Sequence, residues 1–472
     1  MVELLLSFVQ KAAILGASLS AMFGPIPNEN LIRFSQRHPN WQRLVLALRI
    51  SATLVVVSCA VFFGFYPAVT TARLALSTSL RERGQVERLA DWFLAAQKRY
   101  DRWALEYGRS QKAAKVNSAD VAGTEWPLFG SVFYLLSAQE LLRSHQLAPT
   151  DALNNSLKGA AQLLADPANA AWVQKKWGER YLERENVFYR MLVILGLHSY
   201  GMMTRDQSFA TLVETQAVGL AGELAKAPFH VLDDYPGECY PTDVIWATAA
   251  ISRIKTLPDS LRSALSHDVM TSVAQRLSDE RGLPAMLVDS RTGNILQPSR
   301  GCSISGLLNF AWELSSSTAN DWYCRYANNF WLNNGWIVGF REHPVDARAQ
   351  YADVDSGPIL FGVGTVASAF GIGAARSAGR FDHAAPLTME ALAAAWPTPF
   401  GPLVPGVLGW AAADSWCLGE TALLFALSRP NHAGGTTPFT GHAPLVVWGF
   451  VLLYAALGAG LVLREWRYWR RR

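Results

Sequence analysis

Charge is what this sequence is short of: 17% of its 472 residues are Asp, Glu, Lys or Arg, against about a quarter in ordinary soluble domains. Half of the residues are hydrophobic, which excludes a disordered chain and argues against a plain soluble domain. The formal net charge is +4, and its positive excess sits in arginine clusters near the two ends. The remainder is close to neutral, so no nucleic-acid partner is expected. Cysteine is scarce too, five residues in all, and Cys59, Cys239, Cys302, Cys324 and Cys417 lack the spacing of a zinc site, so no metal is expected. Alternating strand patterns are nearly absent, which excludes a β-rich fold.

Long apolar runs are present instead. Ile50 to Tyr66 and Pro444 to Leu463 run for about 17 and about 20 residues, each near the length of a membrane-crossing helix. Arg33, Arg37, Arg43 and Arg49 precede the first, and Arg464, Arg467 and Arg470 to Arg472 follow the second. Positive charge stays on the cytoplasmic side, so the two ends agree. The expected division is a cytoplasmic or interfacial segment over 1–43, a transmembrane helix over 44–69, an exported domain over 70–440, a second transmembrane helix over 441–464 and a basic tail over 465–472. That places the protein in the inner membrane, its main domain periplasmic if the cell is Gram-negative. Residues 1–25, interrupted by Glu3 and Lys11, read as an interfacial helix.

Between the spans, about twelve helical patterns alternate between charged amphipathic segments and segments apolar nearly all round. Six hairpins with amphipathic helices outside and apolar helices inside make an all-α fold, an (α/α)6 toroid or barrel. The loops entering the inner helices then converge, and here they are the polar ones. The richest is His230 to Asp243, ahead of the apolar run Val244 to Ile251, with Thr242 or Asp243 expected as helix N-cap.

Crowded carboxylates in a dry cleft push one another's pKa apart, one becoming an acid and another a base. Asp233, Asp234 and Glu238 in this lip are therefore candidate catalytic groups, with Glu185, Asp353 and Asp355 from neighbouring loops. Cys239 is a candidate polarising group, or the partner of Cys302 in a disulfide. Trp126, Tyr189, Tyr235, Tyr240, Arg300 and Trp416 are the candidate substrate-binding residues. Capping accounts equally for one of Asp353 and Asp355 and for Glu185, and core packing for most of the aromatics.

Four stretches carry a family likeness. Glu185-Asn186-Val187-Phe188-Tyr189, the lip with its helix to Ile251, Asp279-Glu280-Arg281-Gly282, and Asp353-Val354-Asp355-Ser356-Gly357 followed by Ala367-Ser368-Ala369-Phe370 resemble linalool dehydratase-isomerase. The likeness spans about residues 120 to 430. It implies an (α/α)6 barrel and cofactor-independent acid-base removal or addition of water at an allylic alcohol, with isomerisation. It also implies a small amphiphilic or isoprenoid substrate and a homo-oligomer. The family's histidine after Glu-Asn-x-x-Tyr falls at Leu192, and its lip cysteines near Leu232 and Pro241. Its N-terminal catalytic aspartate falls at Asp101 or Asp120. Two other readings stay open: a glycan-active hydrolase, lyase or epimerase of the envelope, and a non-catalytic scaffold.

Overall fold

The computed structural model describes residues 39–115, 120–347, 350–399, 401–404 and 416–470. The interfacial helix expected over 1–25 lies outside them. The described chain is mostly helical, 67%.

It opens with α1 (Pro39–Ala60), a π-helical turn (Val61–Phe65) and α2 (Tyr66–Leu76), and closes with α15 (Leu445–Arg470). The spans Arg43–Leu76 and Leu445–Arg470 are long and apolar enough to cross a membrane. The first extends past the expected end at 69 because α2 continues it along the body of the protein. The two run antiparallel in close contact. A Cβ built on Gly64 would lie 2.5 Å from the Gly458 Cα, the small-residue approach typical of helix pairs in lipid. Near the chain ends, Arg49 Nε donates to the Tyr468 hydroxyl and Trp469 Nε1 donates to Thr53 Oγ1. Leu54, Val55, Leu452 and Leu457 are exposed on the outside of this pair.

Twelve longer helices follow between the spans: α3 (Leu89–Ser110), α4 (Val121–Arg143), α5 (Asp151–Ala165), α6 (Val187–Thr204), α7 (Ala210–Lys226), α8 (Pro241–Ser252), α9 (Asp259–Arg276), α10 (Gly301–Leu314), α11 (Ser316–Phe330), α12 (Thr365–Ser377), α13 (Phe381–Ala394) and α14 (Trp416–Ser428). The odd-numbered members are amphipathic except α13, which α2 and α15 cover and which is buried on most sides. In α3, Leu89, Trp92, Phe93, Ala96, Tyr100, Ala104 and Tyr107 are buried at the three-to-four spacing of one helical face. Even-numbered members are buried almost all round, as α6 is from Val187 through Leu197. α4 packs on α6, α6 on α8, α8 on α10, α10 on α12, α12 on α14, and α14 on α4. Each odd-numbered helix covers an even-numbered one from outside.

Sequence patterning places the start of α4 at Pro127, but the helix begins at Val121, capped by Asp120 through the Gly123 N–H at 3.1 Å. Proline inside a helix frees the carbonyl four residues back. Here that carbonyl, of Gly123, accepts the Tyr107 hydroxyl at 3.1 Å, so the helix runs through. The described residues also form short helical segments, including Thr78–Arg83 and Ala171–Trp177, and four short antiparallel hairpins: β1 (Leu287–Val288) with β2 (Ile295–Gln297), β3 (Trp331–Asn333) with β4 (Val338–Phe340), β5 (Ile359–Leu360) with β6 (Val363–Gly364), and β7 (Pro397–Thr398) with β8 (Gly401–Pro402). Strands of two or three residues leave no alternation to read.

Where the even-numbered helices end, Glu313 of α10 takes both Arg253 guanidinium donors at 2.9 and 2.7 Å and Arg429 Nη2 at 2.9 Å. Burial would raise this carboxyl, but the two guanidiniums hold it down at about 2. The triad ties α8, α10 and the exit of α14 together.

Candidate active site

The lip between α7 and α8 is built around Pro236-Gly237. Tyr235 O accepts Glu238 N–H at 2.8 Å and Gly237 has φ +84°, a proline-glycine turn in which only glycine takes the left-handed position without strain. Two of the expected catalytic carboxylates hold this turn in shape. Asp233 Oδ2 accepts Gly237 N–H at 2.8 Å, and Asp234 Oδ2 accepts Tyr240 N–H at 2.9 Å. Neither Thr242 nor Asp243 is the N-cap of α8. That place belongs to Tyr240, in extended conformation and without a side-chain cap; its carbonyl accepts the Asp243 N–H at 3.0 Å, and Pro241 takes the first helical position. The Asp243 side chain is therefore not engaged as a cap.

Released from capping, Asp243 joins a group gathered from four elements. Tyr235 Oη donates to Glu125 Oε1 of α4 at 2.5 Å, and Tyr240 Oη donates to Glu238 Oε2 at 3.2 Å. The Lys176 ammonium stands 3.7 Å over the Tyr235 ring. Asp355 enters from the loop before α12. Burial pushes the Glu125 carboxyl up to about 7, with Asp355 and Glu238 adding to it and the Tyr235 bond and Lys176 opposing it. Asp243 is pushed well up by burial, then by Glu125 and Asp355. Asp355 is raised by burial, Asp353 and Glu238. Burial and Glu125 keep the Tyr235 phenol protonated. Glu125, Thr242 and Asp243 are partly buried and keep part of their surface accessible.

Beneath these carboxyls the inner helices pack aromatic side chains, with Trp246, Phe310 and Phe425 buried in the core. Phe129 lies one turn below Glu125 on the same face of α4, and Trp246 one turn below Asp243 on α8. Their rings are 5.6 Å apart, and Phe370 of α12 and Phe425 of α14 stand 6.3 and 6.4 Å from Trp246. Phe310 of α10 is closer, at 4.5 Å. Raised carboxyls thus stand over a face that offers no hydrogen bonds and several π surfaces.

Other expected site residues are positioned differently. Arg300 bonds Asp353 twice, at 2.6 and 3.0 Å, and Glu342 at 2.8 Å. Asp353 also accepts Ser356 N–H at 2.9 Å. Against burial, the Arg300 bond holds Asp353 below its ordinary value, so it is a fixed counter-charge and a turn cap that aims Asp355. Glu185 accepts Asp233 N–H at 3.2 Å and faces Asp233 and Arg291, away from Glu125. Tyr189 is buried against Trp172 and Tyr181, its hydroxyl on Leu164 O at 3.4 Å, and does not reach the cleft. Trp126 is buried. The Trp416 and Cys417 side chains lie outside the described residues.

No disulfide joins Cys239 and Cys302; both thiols are free and buried. Cys302 Sγ is on Glu342 Oε1 at 3.0 Å, and Cys239 sits behind the lip where its carbonyl accepts Val288 N–H at 3.0 Å. Burial and the Asp234 charge push the Cys239 thiol up, so it is neutral and a poor nucleophile.

Glu125 and Asp243 are the residues that sequence reasoning left out. Asp243 read as a possible cap, and Glu125 was not singled out. The available signal was their helical register, each one turn ahead of an aromatic. Asp120, one candidate for the family's N-terminal acid, is the cap of α4. Asp101, the other, bonds the Ser156 hydroxyl. Among the described residues, no group of three or more His, Cys, Asp or Glu side chains is arranged to hold a metal ion. In comparison with known proteins, no family model matches the chain and no curated protein matches it.

Proposed function

We propose that this chain is a membrane-anchored enzyme on an (α/α)6 toroid, similar in plan to linalool dehydratase-isomerase, that removes, adds or shifts water on an isoprenoid-like alcohol without a cofactor. The cyclic packing of the six inner helices supports the toroid. The observation that carries the function is the Glu125 carboxyl, raised to about 7 over packed aromatic side chains. A carboxyl that titrates near neutrality serves as proton donor and acceptor alike.

In dehydration, Glu125 gives its proton to the leaving hydroxyl, which departs as water. The allylic cation left behind faces Phe129 and Trp246, whose π surfaces stabilise positive charge. Loss of a proton from the adjacent carbon to the carboxylate of Asp355 completes the alkene; the reverse order adds water. Tyr235 orients Glu125. Arg300 and Asp353 fix the turn that presents Asp355. The two apolar helices support anchoring in the inner membrane with the toroid in the periplasm.

The test is mass-spectrometric detection of water loss or isomerisation across a panel of allylic terpene alcohols, using detergent-purified protein and a Glu125→Gln variant. Turnover that disappears in the variant supports the reading. Turnover that survives in it moves the chemistry away from Glu125, and no turnover by the wild type rejects the substrate class.

A further inference from the structure

The anchors leave the body of the protein at the same end as the carboxylates, as tracing the chain along α13 establishes. α12 begins just after Asp355 at the cleft and ends at Ser377 on the far side. α13 returns from Phe381 to Ala394 at cleft level. At its far end Gly84 lies against the Phe381 ring, and Phe439 N–H donates to Arg81 O at 2.9 Å. At its cleft end Tyr454 Oη donates to Ala393 O at 2.5 Å, and Gly64 meets Gly458. α2 and α15 thus run the length of α13 and emerge beyond the cleft end. At 1.5 Å per residue, the apolar part of α15 rises about 14 Å beyond Tyr454 before Arg464, and that of the first span about 21 Å from Gly64 back to Ile50. Both are shorter than a hydrocarbon layer of about 30 Å, so a layer spanned by these helices also takes in their apolar stretch beside the cleft end of α13.

Exposed apolar side chains in the loops are concentrated at that same end. Ile295 and Leu296 stand out from the β1–β2 hairpin before α10. Val345, Val354, Leu360 and Phe361 stand out from the segment before α12. Phe361 is 81% exposed at the tip of the β5–β6 hairpin, with φ +52°, followed by Gly362 at +85°. Two-residue turns with both φ positive favour Asn or Asp followed by Gly, so a bare phenyl ring is held there against backbone preference. The loops at the opposite end, 144–150, 205–209 and 253–258, expose no large hydrophobic residue.

We propose that this loop face is a lipid-docking surface: it rests in the bilayer in which α1 and α15 are inserted, and the carboxylate cleft opens toward the headgroup layer. The proposal depends on the membrane-spanning reading of the two helices and is independent of the reaction assigned to the cleft. A substrate would then enter from the membrane with its apolar tail in the lipid and its polar end toward Glu125 and Asp243.

Full-length protein carrying p-benzoyl-phenylalanine in place of Phe361, Leu296, Leu457 or Gln146 is reconstituted in nanodiscs of phosphatidylethanolamine and phosphatidylglycerol and irradiated. Lipid adducts are read by intact-protein mass spectrometry. Leu457, exposed on α15, reports insertion of the anchor, and Gln146, exposed in a far-end loop, reports bulk solvent. Adducts at 361, 296 and 457 with none at 146 are expected. Adducts at 457 but not at 361 and 296 overturn the docking face alone. Absence of adducts at 457 overturns the membrane-spanning reading, and the docking face with it.

Discussion

The Tyr235 phenol and the Glu125 carboxylate meet at 2.5 Å across 110 residues of sequence, and this contact fastens the lip to the inner helix α4. A donor so close to a carboxyl lowers its pKa, yet Glu125 remains raised to about 7. Desolvation and the neighbouring acids outweigh the bond.

The Glu125→Gln variant therefore has two expected signatures. Turnover falls by roughly 10²- to 10⁴-fold, the usual contribution of a positioned acid or base. Stability moves the other way. The folded state holds the Glu125 proton up to about pH 7, whereas the unfolded chain releases it near 4.5. The wild type is thus unpenalised below 4.5 and progressively destabilised up to 7. At pH 8 the variant should be more stable by on the order of 1–3 kcal/mol, after allowance for partial solvent access, and at pH 4 the difference should vanish. Thermal melts of both proteins across pH 4 to 8 check the crossover.

The Glu313 triad predicts the opposite pH behaviour. Its carboxyl is held at about 2, so its contribution is complete above 4.5 and is lost as pH falls toward 2. Glu313→Ala leaves Arg253 and Arg429 buried without a counter-charge, at a cost of about 3–5 kcal/mol. The melting temperature should drop at neutral pH, and the gap to wild type should narrow in acid.

In the pair of long apolar helices, Gly64→Leu sets a side chain where a Cβ would already lie 2.5 Å from the Gly458 Cα. Forced separation of α1 from α15 should cost roughly 1–3 kcal/mol, as overpacking does. Faster proteolysis between α2 and α3 in detergent is the expected readout; unchanged proteolysis would mean that the helices do not rely on this contact.

Cys239 and Cys302 should both be alkylated by iodoacetamide after denaturation without reductant, because no bond joins them. Cys239→Ala should keep at least about half of the activity, since a buried neutral thiol is no nucleophile.

Much of the architecture was legible from periodicity. The helix expected over 184–203 runs Val187–Thr204, and the one expected over 241–254 runs Pro241–Ser252, because an inner helix is apolar all round and ends in glycine, proline or charge. The start of α4 was not legible, because its interior proline is excused by a hydroxyl from another helix. Within the site, the lip was legible, but which of its acids hold the loop in shape and which face Glu125 was not. Asp233 and Asp234 are conspicuous in sequence because they fold the loop, whereas Glu125 and Asp243 matter through neighbours that only the assembled fold supplies.

The π-helical turn Val61–Phe65 joins α1, apolar and exposed on its outer face, to α2, which lies against α13. Such a turn holds one residue more than an α-helix needs, and that surplus sets the phase between the two segments. Deleting a single residue there would restore a continuous α-helix and rotate everything before it by about 100°. Arg49 and Thr53 would swing away from Tyr468 and Glu465 while α2 kept its place. The compass bearing of the anchor, and with it the azimuth at which the whole body meets its partner helix, is indexed by one residue.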